Sequence, residues 1–259
     1  MNSTATAAVF GAAALSAAAL AAAWAHSRRS AGARGKRVAV VVTGCGFMDG
    51  AEVTEVVAAL AVLSELGTKV TTFAPDKAQA DVVDHQQGKP LGYAPRRIMQ
   101  ESARITRGDV RDLATLDVRD FDALVVPGGF GVAKSLSTWA LDGPACSVDP
   151  HAERVIKEFH AARKPIACSC IAPVLLARLV APVKITLGRA GPVDKYPYYG
   201  TIAQVLSIPG VEHVDASATE VVVDDVHKVV TTPAYMEAAA PHEVLAGVRA
   251  MCRAALRMA

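Results

Sequence analysis

Residues 164–173, with the sequence KPIACSCIAP, constrain the fold of this chain more than any other stretch. The short apolar run at 165–169 leads directly into a helical pattern of apolar residues that begins near Pro173. A strand that passes so abruptly into a helix needs a tight turn, and Cys170 lies on that turn. The pattern is typical of a nucleophile elbow, in which a strained turn holds a reactive side chain at the head of a helix.

Two interpretations of Cys170 remain open from these residues alone. The start of a helix carries partial positive charge, which favours the thiolate and therefore a nucleophilic cysteine. Free cysteine is also among the most frequently buried residue types, so Cys170 can equally be a structural core residue.

Charge and cysteine content exclude several classes of protein. The formal net charge is +2, but residues 1–37 contain five basic and no acidic residues, which leaves 22 basic against 25 acidic residues in the rest of the chain. This balance argues against a nucleic-acid-binding protein. Five irregularly spaced cysteines do not form a disulfide framework, and no second Cys/His pair accompanies Cys168 and Cys170, so no metal site is expected.

Residues 1–36 form an N-terminal targeting or anchor segment, which we expect to precede a single domain at 37–259. The segment has no acidic residue, as in a mitochondrial transit peptide, although its arginines come late. Residues 23–25 (AWA) are similar to a signal-peptidase cleavage site. Residues 7–25 have the length of a membrane anchor, but most of them are alanine, which inserts poorly into membranes. Composition alone does not decide between mitochondrial import, secretion and membrane anchoring.

The domain at 37–259 alternates predicted strands and helices, which indicates an α/β fold with helices on both faces of a mostly parallel sheet. Asp49 and Glu52 resemble a capping box before the first helix. The predicted strands are 37–42, 69–73, 123–126, 165–169, 184–187, 220–223 and 229–232, and the predicted helices are 53–66, 94–106, 151–162, 173–179 and 234–258.

Ligands of open α/β sheets bind beyond the carboxyl ends of the strands, where residues 44–55, residues 127–131 and Cys170 all lie in this prediction. The N–H groups of Gly129 and Ile171 are natural oxyanion donors for a thiol that attacks a carbonyl carbon. Glu55 can point toward that thiol or lie solvated in the first turn of its helix. The aromatic loop 195–200 is more often ordinary surface packing than a substrate lid.

Six motifs together resemble one family. They are GCGFMDGAEVTE (44–55), FAPDK (73–77), ESARITRG (101–108), VVPGGFGVAKSLS (125–137), KPIACSCIAP (164–173) and VVTTPAYM (229–236). With them the chain resembles the ElbB-like branch of the PfpI and Parkinson-disease-protein-seven superfamily of class I glutamine amidotransferase-like proteins. This branch includes bacterial isoprenoid-biosynthesis amidotransferase-like proteins and mitochondrial vertebrate relatives, and the segment YPYYGT (196–201) resembles the latter.

The resemblance implies a flavodoxin-like three-layer sandwich with Cys170 as elbow nucleophile. It further implies that Glu55 hydrogen-bonds the thiol, that Gly129 and Ile171 occupy the oxyanion positions, and that the protein forms a homodimer. One departure is that the family's downstream histidine falls near Arg189. True glutaminases use a downstream His-x-Glu pair, for which the chain offers only Pro241-His242-Glu243, so a full glutaminase triad is not expected.

Three functional hypotheses follow. The first is a cofactor-free, glyoxalase III-like thiol enzyme that slowly converts methylglyoxal or a similar small aldehyde to the hydroxy acid. The second is a redox-responsive protein, with Cys45 as a resolving partner for Cys170. The third is a non-catalytic interaction or assembly subunit, which would contact a membrane only through its N-terminal segment if that segment is retained.

Overall fold

The structure, a computed structural model, describes residues 33–92 and 96–259. The predicted targeting or anchor segment at 1–36 therefore lies almost wholly outside the described residues. No helix in the described ranges is long and apolar enough to cross a membrane.

A seven-stranded sheet forms the centre of the fold, in the order β10-β11-β7-β6-β1-β2-β5. Its strands are parallel except for the edge strand β10, which pairs antiparallel with β11. The strands are β1 (Arg37–Val41), β2 (Lys69–Ala74), β3 (Val83–Asp84), β4 (Lys89–Pro90), β5 (Arg111–Asp112), β6 (Ala123–Val126), β7 (Ile166–Ser169), β8 (Val183–Ile185), β9 (Val211–His213), β10 (Val222–Asp224) and β11 (Val229–Thr232). The short strands β3–β4 and β8–β9 form two separate pairs.

Helices cover both faces of this sheet, as the alternating pattern predicted. They are α1 (Val53–Glu65), α2 (Ile98–Ile105), α3 (Trp139–Asp142), α4 (Pro150–Ala161), α5 (Pro173–Leu179), α6 (Gly200–Leu206) and α7 (Pro241–Met258). Helix α1 packs against α7, and α4 packs against α5. Strands β6 and β7 are buried along their whole length, because a parallel central strand is covered on both sides.

Two predicted helix starts are several residues off, and the cap predicted for the first helix is formed by Glu52 alone. Helix α1 begins after Glu52, whose carboxylate accepts the Glu55 N–H at 2.8 Å, whereas Asp49 instead accepts the Val83 N–H at 2.8 Å. Helix α2 begins at Ile98; of the predicted helix 94–106, residues 94 and 95 lie outside the described residues, and residues 96 and 97 are not helical. The closing helix begins only at Pro241, because a separate 3₁₀ turn at Ala234–Met236 precedes it.

Candidate active site

Cys170 lies directly after β7 on the predicted tight turn. Its φ of 57° places a non-glycine residue in the left-handed region, which costs energy and recurs at functional sites. The Cys170 N–H donates to the Thr232 carbonyl at 3.0 Å, which fixes the turn to the neighbouring strand β11. A Cβ atom on Gly128 would lie 2.4 Å from the Cys170 Cβ atom, so only glycine allows the loop after β6 to pass this close.

Glu55, in the first turn of α1, is fully buried next to this turn. Its Oε2 atom accepts hydrogen bonds from the Gly128 N–H at 2.9 Å and from the Ser169 hydroxyl at 2.6 Å. Its Oε1 atom has no hydrogen-bond partner among the described residues. Burial raises the pKa of Glu55 to about 7, against the opposing effect of these hydrogen bonds. The solvated interpretation of Glu55 is therefore wrong, because α1 turns the side chain into the protein.

Different groups shift the pKa of the Cys170 thiol in opposite directions. Burial and the nearby Glu55 carboxylate raise its pKa well above the usual value, while the N–H groups of Gly129 and Ile171 act in the opposite direction. We had expected the helix start to favour the thiolate. The structure reverses this expectation because the two N–H groups do not compensate for burial beside a carboxylate. Cys170 and Glu55 therefore titrate as a coupled pair that retains a proton near neutral pH.

Glycines hold the loop after β6 against the loop before α1. Gly129 has a φ of 99°, and a Cβ atom there would lie 2.4 Å from both the Glu52 nitrogen and the Gly50 oxygen. The Gly131 N–H donates to the Gly50 carbonyl at 2.8 Å, and the Glu52 N–H donates to the Gly128 carbonyl at 3.0 Å. The two loops thus fix the position of the Gly129 N–H group relative to Cys170.

Cys170 opens into a cavity of 510 Å³, within the range of pockets that hold small ligands. Its walls come from segments that are distant in sequence, and most of them are apolar or aromatic. They include Phe47, Phe130, Trp139, Tyr198, Tyr235 and Met236, together with the carboxylates of Glu52 and Glu237.

The aromatic loop 195–200 contributes to this cavity, which the sequence interpretation as surface packing missed. Tyr198 lines the cavity and packs edge-on against Phe130, with ring centroids 6.0 Å apart. Lys195 fixes the loop, because its ammonium group lies 3.0 Å from the Glu237 carboxylate and its carbonyl accepts the Ala238 N–H at 2.7 Å. The close sequence placement of several tyrosines was the only signal for this role.

None of the other thiols or of the described histidines lines the cavity. All five cysteines are free, and Cys45 does not line the cavity but lies near Glu101 and Arg104 of α2. No histidine is among the described residues that line the cavity. His213 accepts the Leu187 N–H with Nε2 at 3.1 Å, and Glu243 caps α7.

Arg189, where the family's histidine would fall, is not a cavity residue and lies 3.7 Å from Glu220. The described residues also contain no group of three or more acidic, histidine or cysteine side chains that could hold a metal ion.

Comparisons with known proteins agree with this fold. The model of the DJ-1/PfpI family matches residues 36–232. The chain is 46% identical over 223 residues to human "Glutamine amidotransferase-like class 1 domain-containing protein 3, mitochondrial", covering 86% of this chain and 83% of the relative. It is 45% identical to the rat "ES1 protein homolog, mitochondrial" over 223 residues, with coverage of 86% and 84%.

A similar solved structure is that of an isoprenoid biosynthesis protein with an amidotransferase-like domain from Ehrlichia chaffeensis. It has a TM-score of 0.77 and 35% sequence identity, and it covers 86% of this chain and 99% of that chain. These matches confirm the resemblance that the six motifs indicated and the α/β fold with a mostly parallel sheet.

Proposed function

The chain belongs to the DJ-1/PfpI family, and from its site we propose that it is a thiol enzyme that converts small 2-oxoaldehydes such as methylglyoxal to hydroxy acids. In this proposal Cys170 is the nucleophile, Glu55 transfers protons, and the N–H groups of Gly129 and Ile171 bind the oxyanion. The observation that carries it is Glu55, a buried carboxylate with a pKa of about 7 beside an elbow cysteine. A pKa close to the working pH is best suited to a group that both accepts and returns a proton.

The first step is addition of the thiol to the aldehyde. The sulfur of Cys170 forms a bond to the aldehyde carbon, and its proton passes to the ionised Glu55 carboxylate. The carbonyl electron pair moves to oxygen, where the Gly129 and Ile171 N–H groups stabilise the negative charge. Glu55 then returns its proton to this oxygen, which gives a neutral hemithioacetal and restores the carboxylate. Because Glu55 takes the proton as the S–C bond forms, the reaction does not require a free thiolate in the resting protein.

The second step moves a proton between carbons. The Glu55 carboxylate removes the hydrogen from the former aldehyde carbon, and the electron pair moves to the ketone oxygen, which gives an enediolate. Protonated Glu55 returns this proton to the adjacent carbon, while the hydroxyl proton of the former aldehyde carbon passes to the oxygen of the adjacent carbon. The product is a thioester of the 2-hydroxy acid on Cys170. Water then adds to this thioester and releases the hydroxy acid and the free thiol. In total, methylglyoxal and one water give lactic acid, with no external oxidant or reductant.

Slow turnover is expected because no histidine is among the described residues that line the cavity, which leaves the proton transfers to the Glu55 carboxylate. A cysteine enzyme ordinarily activates its nucleophile with an adjacent base such as histidine. Here one carboxylate must accept the thiol proton and then act on carbon. The missing histidine likewise argues against glutamine hydrolysis.

Lactate formation from methylglyoxal by the full-length protein tests this proposal. We expect the Cys170→Ala variant to lose at least about a hundredfold in initial rate, because the covalent intermediate cannot form. The Cys45→Ala variant, which removes a thiol outside the cavity, should retain the wild-type rate. Folded wild-type protein that forms no lactate above the buffer rate would contradict the proposal, as would equal rates for wild type and Cys170→Ala.

The redox hypothesis receives less support from this geometry. A redox-sensing thiol is usually accessible and has a lowered pKa, whereas Cys170 is buried with a raised pKa. Its suggested partner Cys45 does not line the same cavity.

For the cell, we propose a mitochondrial location. Its support is the acid-free N-terminal segment and the word "mitochondrial" in the names of the human and rat relatives. The homodimer that the resemblance implies stays a prediction, which light scattering on the purified protein would test.

A further inference from the structure

We infer that the substrate of this site carries an apolar, preferably aromatic, group next to its reacting carbonyl and carries no negative charge. This inference rests on the proposed function, because it names the class of carbonyl compound on which Cys170 acts. Three observations support it: the volume of the cavity, the aromatic side chains of its walls, and the lack of a lysine, arginine or histidine among the described wall residues.

The cavity is too large for methylglyoxal alone. Its volume of 510 Å³ corresponds to pockets that enclose compounds much larger than a three-carbon aldehyde. With the reacting carbonyl at Cys170 and Gly129, most of this volume remains for the rest of the substrate. A methylglyoxal molecule would leave that space to water, whereas a larger apolar group would displace water from the walls.

The walls favour an aromatic group. Phe130, Trp139, Tyr198 and Tyr235 come from four different segments and supply aromatic surface to the same cavity. The edge-on contact of Tyr198 with Phe130 fixes two of these rings relative to each other. Flat apolar walls of this kind bind a ring by stacking and edge-to-face contacts, which add to simple burial of apolar area.

The charges of the cavity disfavour an anion. Among the described residues, its walls contain the carboxylates of Glu52 and Glu237 but no lysine, arginine or histidine. Two cations that contact cavity residues are already paired: Lys195 binds Glu237 at 3.0 Å, and Lys134, 5.4 Å from the centroid of the Phe130 ring, binds Asp81 at 2.8 Å. A phosphate or carboxylate on the substrate would therefore enter a desolvated site without a counter-charge.

A matched set of 2-oxoaldehydes tests this inference in the full-length protein. We expect kcat/KM for 4-methylphenylglyoxal to exceed that for methylglyoxal by about tenfold or more, the discrimination that apolar contacts of this size provide. The anionic 4-carboxyphenylglyoxal has nearly the same shape, and its kcat/KM should be at least about tenfold below that of the methyl compound.

Two neighbouring tyrosines provide the variant and its control. Tyr198 lines the cavity and Tyr199 does not, and both side chains are substantially exposed, so neither substitution should unfold the protein. Tyr198→Ala should reduce the preference for 4-methylphenylglyoxal over methylglyoxal severalfold, whereas Tyr199→Ala should leave the preference unchanged. Equal effects of the two substitutions would overturn the role of the aromatic wall.

Calorimetric binding of two unreactive analogues, 4-methylacetophenone and 4-acetylbenzoate, separates this inference from the proposed function. Cys170-dependent methylglyoxal turnover with no preference for the neutral aryl aldehyde would overturn the inference and leave the proposed function intact. If no aldehyde is converted but 4-methylacetophenone binds at least about tenfold more tightly than 4-acetylbenzoate, the ligand class stands and the proposed function fails. If neither assay distinguishes the neutral from the anionic compound, the inference is wrong.

Discussion

Replacement of Glu55 by glutamine is expected to stabilise the folded protein by about 3 kcal/mol at pH 8 while it removes the activity proposed above. The stabilisation follows from the pKa of Glu55, which is about 7 in the folded protein against an ordinary value of 4.5. The folded state therefore binds this proton more tightly than the unfolded chain does. The resulting contribution to stability is fully present below pH 4.5 and is lost as the pH rises through about 7.

Glutamine avoids this loss because it fits the same hydrogen bonds without a charge. Its amide oxygen can accept from the Gly128 N–H and the Ser169 hydroxyl, as Oε2 does now. The amide nitrogen would replace Oε1, so both hydrogen bonds of Oε2 are kept, while the interaction of the carboxylate with the Cys170 thiol is changed.

Urea unfolding of wild type and Glu55→Gln at pH 5, 6, 7 and 8 measures the effect. The free energy of unfolding of the variant should exceed that of wild type by an amount that grows with pH up to about 8. Glu212→Gln, at an exposed position on β9, serves as control for the loss of a carboxylate at the surface and should change the free energy of unfolding by no more than about 0.5 kcal/mol. A Glu55→Gln difference that does not change with pH would show that the carboxyl group remains ionised throughout this range.

The activity of Glu55→Gln should fall by a factor of about 10² to 10⁴, because glutamine can accept neither the thiol proton nor the carbon-bound hydrogen. A protein that is more stable but inactive would separate the chemical role of Glu55 from a structural one. Retention of lactate formation in this variant would instead require another base and would contradict the mechanism.

The sequence predicted the parts of the fold that depend on local pattern. The fully apolar runs at Ala123–Val126 and Ile166–Ser169 were identified as buried strands, since a parallel strand covered on both faces has no polar alternation. Helix α6 was missed because the residues before it contain prolines and tyrosines, which do not indicate a helix start. The strand pairs β3–β4 and β8–β9 consist of strands of two or three residues and therefore leave little periodic signal.

The placement of the candidate residues was predictable from the sequence, but their environment was not. The sequence analysis predicted that Cys170, Glu55, Gly129 and Ile171 lie at one edge of the sheet. The structure places them at that edge. The raised pKa of Cys170 depends first on burial of the thiol and then on how closely α1 carries Glu55 to it, neither of which a local pattern encodes. The cavity is likewise formed by side chains such as Trp139, which meet only when the chain is folded.

Gly129→Ala is expected to destabilise the protein by about 3 kcal/mol or more, because two separate costs add at this position. Its φ of 99° strains any side chain, and the new Cβ atom would lie 2.4 Å from backbone atoms of Glu52 and Gly50. Gly88 provides a matched control, since it also has a positive φ, of 67°, but nothing lies within 4 Å of a Cβ atom there. Gly88→Ala should therefore cost only about 1–2 kcal/mol.

The difference between these two variants isolates the close approach of the loops from the strain of the backbone. If the Gly129→Ala variant remains folded, the loop after β6 must move away from Glu52. The N–H group of residue 129 then moves away from the Cys170 sulfur. Loss of one oxyanion donor lowers kcat by about 10² to 10³ in other acyl-transfer enzymes, and we expect a similar decrease here. Urea unfolding and lactate formation measure the two effects in the same preparations. Equal destabilisation by both substitutions would mean that the loops adjust freely, in which case the Gly129 N–H is not held in place for the oxyanion.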